Sequence, residues 1–244
     1  MKLIFLGTGG FHPNERRHTA GLLIPEIGVA FDAGTSAFRI AERIASPDLH
    51  LFLTHAHLDH ICGLTYLLVP LMQQRIAHCT VWGSPETLSA VRTHLFSPPV
   101  FPVLPRFDLC DLPDRVAVPS GVVTHHPLHH PGGSRGFRLD GDDGRSFAYI
   151  TDTITHPDYL DFIRGVDVLI HECYFPDDEA QWCEPTGHSH TSAVARLAAD
   201  AGVQRLYLTH VDPQHTDDDP IGLAAARAIF PATELAEDLL EIEV

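Results

Sequence analysis

The stretch Leu49-His50-Leu51-Phe52-Leu53-Thr54-His55-Ala56-His57-Leu58-Asp59-His60 decides how the chain is read. Leu49–Thr54 is the pattern of a buried strand, and it runs straight into His55, His57, Asp59 and His60. Imidazole nitrogens and carboxylate oxygens suit hard or borderline divalent cations. A turn after the strand can aim His55 and His57 at one ion and Asp59 and His60 at a neighbour, as two-metal hydrolytic centres require. The bland alternative is a solvated polar turn, but an HxHxDH run directly after an apolar strand is too rare a pattern for that reading.

Composition agrees with a metal centre and narrows the partners. The chain has 244 residues, of which 18 are His, the commonest metal ligand and near-neutral acid or base. Lys and Arg number 16 against 32 Asp and Glu, a formal net charge of −16. Extended nucleic-acid binding is disfavoured, because it needs clustered cations to displace phosphate counterions. A small anionic substrate is not excluded, since a bound metal reverses the local field. The five cysteines, Cys62, Cys79, Cys110, Cys173 and Cys183, are odd in number and form no CxxC pair. Neither a disulfide framework nor a Cys-rich zinc module fits them. Met1–Gly10 is too short for a signal peptide, and no apolar run approaches the ~18 residues of a membrane span. The expectation is a cytoplasmic chain with no membrane partner, folded as a single domain over 1–244.

Short apolar runs alternate with helical spacing. Strands are expected at Lys2–Leu6, Gly21–Pro25, Gly28–Phe31, Leu49–Thr54, Thr80–Trp82, Val122–Thr124, Gly136–Leu139, Phe147–Thr151, Val168–His171 and Arg205–Thr209. Helices are expected at Ser36–Ala45, Ile61–Met72, Pro85–Leu95, Ser192–Ala201 and Ile221–Ile229. Proline-rich Ser97–Pro119 reads as loop with short edge strands. His55, Asp152, His171 and His210 all follow the carboxyl ends of apolar runs, which suggests one shared cleft.

Further motifs follow in order: Phe5-Leu6-Gly7-Thr8-Gly9, Phe31-Asp32-Ala33-Gly34, His130-Pro131-Gly132-Gly133-Ser134, Tyr149-Ile150-Thr151-Asp152-Thr153, His171-Glu172, Gly187-His188-Ser189 and Leu208-Thr209-His210. With the HxHxDH run, this ordered set resembles the metallo-β-lactamase superfamily, in its ribonuclease Z-like and phosphodiesterase branch. The resemblance covers Lys2 to about Pro213. It implies an α/β fold, a four-layered αβ/βα sandwich of two mixed β-sheets with helices outside. It also implies that His55, His57 and His130 hold one metal, that Asp59, His60 and His210 hold a second, and that Asp152 bridges them. The metals would be two divalent ions, zinc with manganese or iron as alternatives, activating a bridging hydroxide that Asp59 orients. His125, His126, His129 and His130 crowd one segment. His130 is taken as the ligand because it directly precedes the Pro-Gly-Gly-Ser turn, with His129 as the alternative.

In such enzymes a Glu and a His form the pair that protonates the leaving group; here they correspond to Glu172 and His188, although Cys173 and His190 depart from the usual runs. The other reading of Glu172 and His188 is that they only orient ligands. Asp32 reads as a turn carboxylate, Gly7-Thr8-Gly9-Gly10 as a tight turn rather than a nucleotide loop, and Asp217-Asp218-Asp219 as a helix cap. The expected function is a metal-dependent phosphodiesterase acting on a small or nucleotide-like diester, with a homodimer as its expected assembly. The alternatives are a tRNA 3′-end endoribonuclease, a lactonase, thioesterase or β-lactamase, and a non-catalytic metal-binding scaffold. The tRNA reading is weakened because only one hairpin fits between His130 and Asp152, where ribonuclease Z enzymes carry a long arm.

Overall fold

A computed structural model describes all residues from Met1 to Val244. The chain divides into two compact units, Met1–Pro119 with Asp238–Glu243, and Ser120–Glu237 with Val244. No helix is long and apolar enough to cross a membrane.

The first unit holds β1 (Lys2–Gly7), β2 (Gly21–Ile24), β3 (Val29–Phe31), β4 (Asp48–Phe52), β5 (His78–Gly83), β6 (Asp108–Asp111), β7 (Arg115–Val118) and, from the far end of the chain, β14 (Glu241–Glu243). Its sheet runs β14-β1-β2-β3-β4-β5-β6. β14, β1, β2 and β3 pair antiparallel, whereas β3 to β6 pair parallel. Parallel strands buried on both faces read as unbroken apolar runs, which is why Leu51, Phe52 and Leu53 lie wholly inside. The helices cover one face through Ala37, Ile40, Leu64, Leu67, Leu88 and Val91.

The helix expected over Ile61–Met72 is broken. Leu58–Ile61 and Leu68–Met72 are α-helical, with a tighter 3-10 stretch at Cys62–Leu67 between them. Tertiary backbone bonds compete with helical ones here: Ala33 N–H donates to His60 O (2.8 Å), and Gly63 N–H donates to Ala33 O (2.8 Å). A side chain at Gly63 would stand 2.1 Å from Gly34 O, so only glycine permits this approach. Pro85–Leu95 likewise changes register, from α-helix to a π-turn at Val91–Leu95.

The second unit holds β8 (Gly121–Leu128), β9 (Ser134–Gly141), β10 (Ser146–Ile150), β11 (Val168–Glu172), β12 (Arg205–Thr209) and β13 (Thr233–Leu235), ordered β13-β12-β11-β10-β9-β8. β8, β9 and β10 form antiparallel hairpins, and β10 to β13 run parallel. Thr191–Ala201 crosses from β11 to β12, burying Val194, Ala195, Leu197, Ala198 and Ala201 and stopping at left-handed Gly202 (φ +64°). Asp219 accepts the Leu223 N–H at 2.7 Å and caps the helix Leu223–Ile229. His171 departs from expectation. It lies inside β11, as the expected strand Val168–His171 has it, but it is fully buried; its Nδ1–H donates to Glu172 O (2.7 Å) and its Nε2 meets Tyr159 Oη (2.9 Å). It does not join a cleft at the strand ends.

Candidate metal centre

In the first unit, the turn after β4 presents His55, His57, Asp59 and His60. The His55 ring lies 4.4 Å from that of His57 and 4.3 Å from that of His60. His60 Nε2 stands 3.3 Å from Asp59 Oδ2. Behind them sits Asp32, buried, left-handed (φ +60°), directly after β3. Its Oδ1 accepts the Thr54 N–H (2.9 Å) and its Oδ2 accepts Nδ1–H of His60 (2.8 Å). That bond fixes the tautomer, leaving the Nε2 lone pair of His60 directed outward beside Asp59. The Gly-rich turn after β1 reaches the same place: Phe11 N–H donates to Asp59 Oδ2 (2.9 Å).

In the second unit, His130, Asp152, Glu172, His188 and His210 converge. His130 Nε2 lies 3.6 Å from Asp152 Oδ1, and His210 Nε2 lies 3.4 Å from Asp152 Oδ2. One carboxylate thus offers a different oxygen to each of two imidazoles. Thr151 Oγ1–H donates to Oδ2 (2.7 Å) and steadies it. His130 Nδ1–H donates to Gly187 O (2.9 Å), so its Nε2 carries the lone pair. Burial holds the His130 pKa below the usual imidazole value, with Asp152 opposing that shift, so the neutral, ligating form is favoured. Asp152 (φ +54°) and His210 (φ +57°) are both left-handed, as is Asp32, and each sits just past a strand end. That conformation costs roughly 1–2 kcal/mol per residue, and such strain concentrates at functional sites.

Glu172 is fully buried and accepts three bonds: from Thr153 N–H (2.7 Å), Ser189 N–H (3.1 Å) and His188 Nδ1–H (2.9 Å). It stands behind His188 and fixes that ring. Tyr174 stacks on His188 at 4.4 Å, while the His130 and His210 rings lie 5.0 and 5.6 Å away. Asp152, His188 and His210 offer ligand atoms within 4.8 Å of one another. His129 is exposed and turns to Asp158 (3.1 Å). His126 stacks on Phe162 at 5.5 Å, and His125 Nδ1 meets the Arg135 guanidinium at 3.0 Å. Cys173 is buried in the apolar core, and His190 bonds Asp177 (2.7 Å).

The donor set suits divalent cations. The N···O separations of 3.3, 3.4 and 3.6 Å exceed good hydrogen-bond distances. They match the ~3.4 Å edge of a tetrahedron whose bonds to nitrogen and oxygen are about 2.1 Å. Sequence reasoning missed the supporting groups Thr54, Thr151, Tyr174 and the Gly187 carbonyl, and it gave Asp32 no part in holding a ligand. Only Asp32 carried a signal, as an Asp-Ala-Gly turn directly after a strand.

The profile of the β-lactamase superfamily domain matches residues 28–211. The chain belongs to the metallo-β-lactamase superfamily. It is accordingly a metal-dependent hydrolase, of the ribonuclease Z-like branch. Ribonuclease Z of Acaryochloris marina is 28% identical over 307 aligned positions, covering 100% of this chain and 98% of that relative. Those 307 positions exceed the 244 residues here by 63, so the relative carries at least that many residues without a counterpart in this chain. Among solved structures, the metallo-β-lactamase fold protein YhfI from Bacillus subtilis superposes with a TM-score of 0.82 at 20% identity, covering 100% of this chain and 99% of that one. A diphosphatase of the PhnP family gives 0.77 at 21% identity, covering 100% and 97%. At these identities the superpositions establish the fold, the two mixed sheets flanked by helices.

Proposed function

We propose that the chain is a phosphodiesterase for a small or nucleotide-like diester. In this reading His55, His57 and His130 hold one divalent ion, Asp59, His60 and His210 hold another, and Asp152 serves both. Zinc suits the nitrogen-rich set, with manganese or iron as alternatives. Ions held there would supply Lewis-acid activation of water and of the phosphoryl oxygens. Asp59, whose Oδ2 takes the Phe11 N–H, is the carboxylate that would orient the attacking water. The remaining requirement is a proton for the departing oxygen.

The observation that carries the proposal is the Glu172–His188 pair. With Nδ1–H committed to a buried carboxylate, the ring is held in place and Nε2 is the atom left to hand a proton to the departing oxygen. An alkoxide leaving group needs that proton; the alkoxide of a lactone and the amine of a lactam need one too, so the pair assigns the protonation step and the substrate panel below separates the ester classes. Glu172 is then a positioning residue and His188 the acid.

A second reading, tRNA 3′-end processing, is favoured by the ribonuclease Z relatives. It is weighed down by the net charge of −16 and by the 63 unmatched positions, the span between His130 and Asp152 being filled by the single hairpin β9–β10. A hydrolysis panel of the metal-loaded enzyme on bis-p-nitrophenyl phosphate, nucleoside diesters, precursor tRNA, a lactone and a β-lactam separates these readings. The deciding variant is His188→Ala. Its activity on an alkyl or nucleoside diester should fall by roughly 10²–10⁴-fold, and on the p-nitrophenyl ester far less, because p-nitrophenolate leaves without a proton. Equal losses on both, at unchanged metal content, would assign His188 to ligand orientation instead.

A further inference from the structure

Beyond these residues, the second unit carries another group of ligating side chains: His129, His156 and Asp158. His129 Nε2 and His156 Nδ1 each lie 3.1 Å from the same atom, Asp158 Oδ2, and the two rings stand 4.3 Å apart. All three side chains are solvent-accessible, at 43, 37 and 57%. We propose that they form a separate site for one borderline divalent cation such as zinc, nickel or copper(II), with two nitrogens and one oxygen from the protein and the remaining positions left to water.

Three features support this. The donors lie within 4.8 Å of one another, and their 3.1 Å edges fall between the ~3.0 Å of an octahedron and the ~3.4 Å of a tetrahedron with bonds near 2.1 Å. The backbone beneath them is set. His129 N–H donates to Thr153 Oγ1 (3.1 Å) and Ile154 N–H donates to His129 O (3.2 Å), while Pro157 fixes the turn between His156 and Asp158. Finally, His156 Nδ1 accepts the Asp158 N–H at 3.3 Å to cap the following 3-10 turn. An Nδ1 acting as acceptor has no proton for the carboxylate, so two acceptors face each other across 3.1 Å. A cation between them relieves that contact, and the long amide bond yields to it.

The site has a consequence for its neighbour. His129 is bonded in sequence to His130, and Thr153 to Asp152. A cation on His129 and Asp158 therefore ties the segments that carry His130 and Asp152 to the turn at Pro157–Tyr159. It would act as a pin on the scaffold, touching no substrate.

The test is calorimetric titration of the chelator-treated full chain with Zn²⁺, comparing wild type with His156→Ala. The expected result is one ion fewer per chain in the variant, a smaller zinc-dependent rise in Tm, and, with Cu²⁺ as probe, loss of one nitrogen-coupled EPR component. If His156→Ala fails to fold, Asp158→Asn, close in shape, takes its place. Because the readout is the difference between two proteins, it stands whatever number of ions the centre around Asp152 binds. Equal ion counts in wild type and variant overturn the proposal and leave the triad as a hydrogen-bonded surface cluster.

Discussion

Asp32 shows how much a single atom can decide. Its Oδ2 accepts Nδ1–H of His60, and that bond keeps the Nε2 lone pair of His60 free of a proton. In Asp32→Asn the amide would keep an oxygen for the Thr54 N–H but turn its NH₂ toward Nδ1. The imidazole would then move its proton to Nε2, where no metal can bind. We expect metal affinity to fall about 10–100-fold with little change in fold, as for other groups that orient a ligand. Chelator competition on the purified variant measures this, and wild-type affinity would refute the role. At this scale the sequence was legible where ligands are contiguous, as in His55–His60. It was silent where a partner arrives from afar, as Asp32 does, 28 residues from His60; Glu172 and His188, 16 apart, were paired through the family resemblance and not by their spacing. Only folding brings those atoms together, and no spacing rule encodes it.

At the scale of elements, β11 places adjacent residues in opposite surroundings. Glu172 ends the strand among the polar groups, while His171 points the other way, to Tyr159. Burial holds the His171 pKa below 6.5. The folded state therefore resists a proton that the unfolded chain accepts. The resulting stability is present above the unfolded pKa of about 6.5 and is lost as pH falls below it, by at most about 1.4 kcal/mol per pH unit. Urea midpoints between pH 5 and 8 should show this slope in the wild type and a shallower one in His171→Gln; identical slopes would place the effect elsewhere. Placing His171 at a strand end was the natural reading of Val168–His171, since an apolar run that stops at a histidine resembles one that stops at a loop. Strands were otherwise legible because their apolar runs are unbroken. The interrupted helix after His60 was not, because its irregularity comes from the Ala33 and Gly63 backbones, which local propensity does not describe.

At the scale of the molecule, the end of the sequence completes its beginning. β14 pairs with β1, and Asp238 takes the Thr8 N–H (3.0 Å), the Thr8 hydroxyl (2.8 Å), the His18 N–H (2.9 Å) and the Arg39 guanidinium (2.7 Å). Arg39 also donates to the Leu6 carbonyl. Asp238→Ala would leave a largely buried guanidinium without its carboxylate, a loss of about 3–5 kcal/mol. Trp82 lies in the first unit and Trp182 in the second. In a Trp182→Phe background the remaining indole reports the first unit, and its denaturation midpoint should fall sharply on Asp238→Ala. An unmoved midpoint would mean that the clamp contributes nothing. The same arrangement bears on synthesis. A ribosome that has made Met1–Pro119 has produced most of the first unit but neither its edge strand nor the carboxylate that gathers Thr8, His18 and Arg39. The Gly-rich turn that reaches Asp59 must wait for more than a hundred further residues to be translated. Until residues 241–243 emerge, the nascent chain displays an open sheet edge at β1, the kind of surface that chaperones recognise.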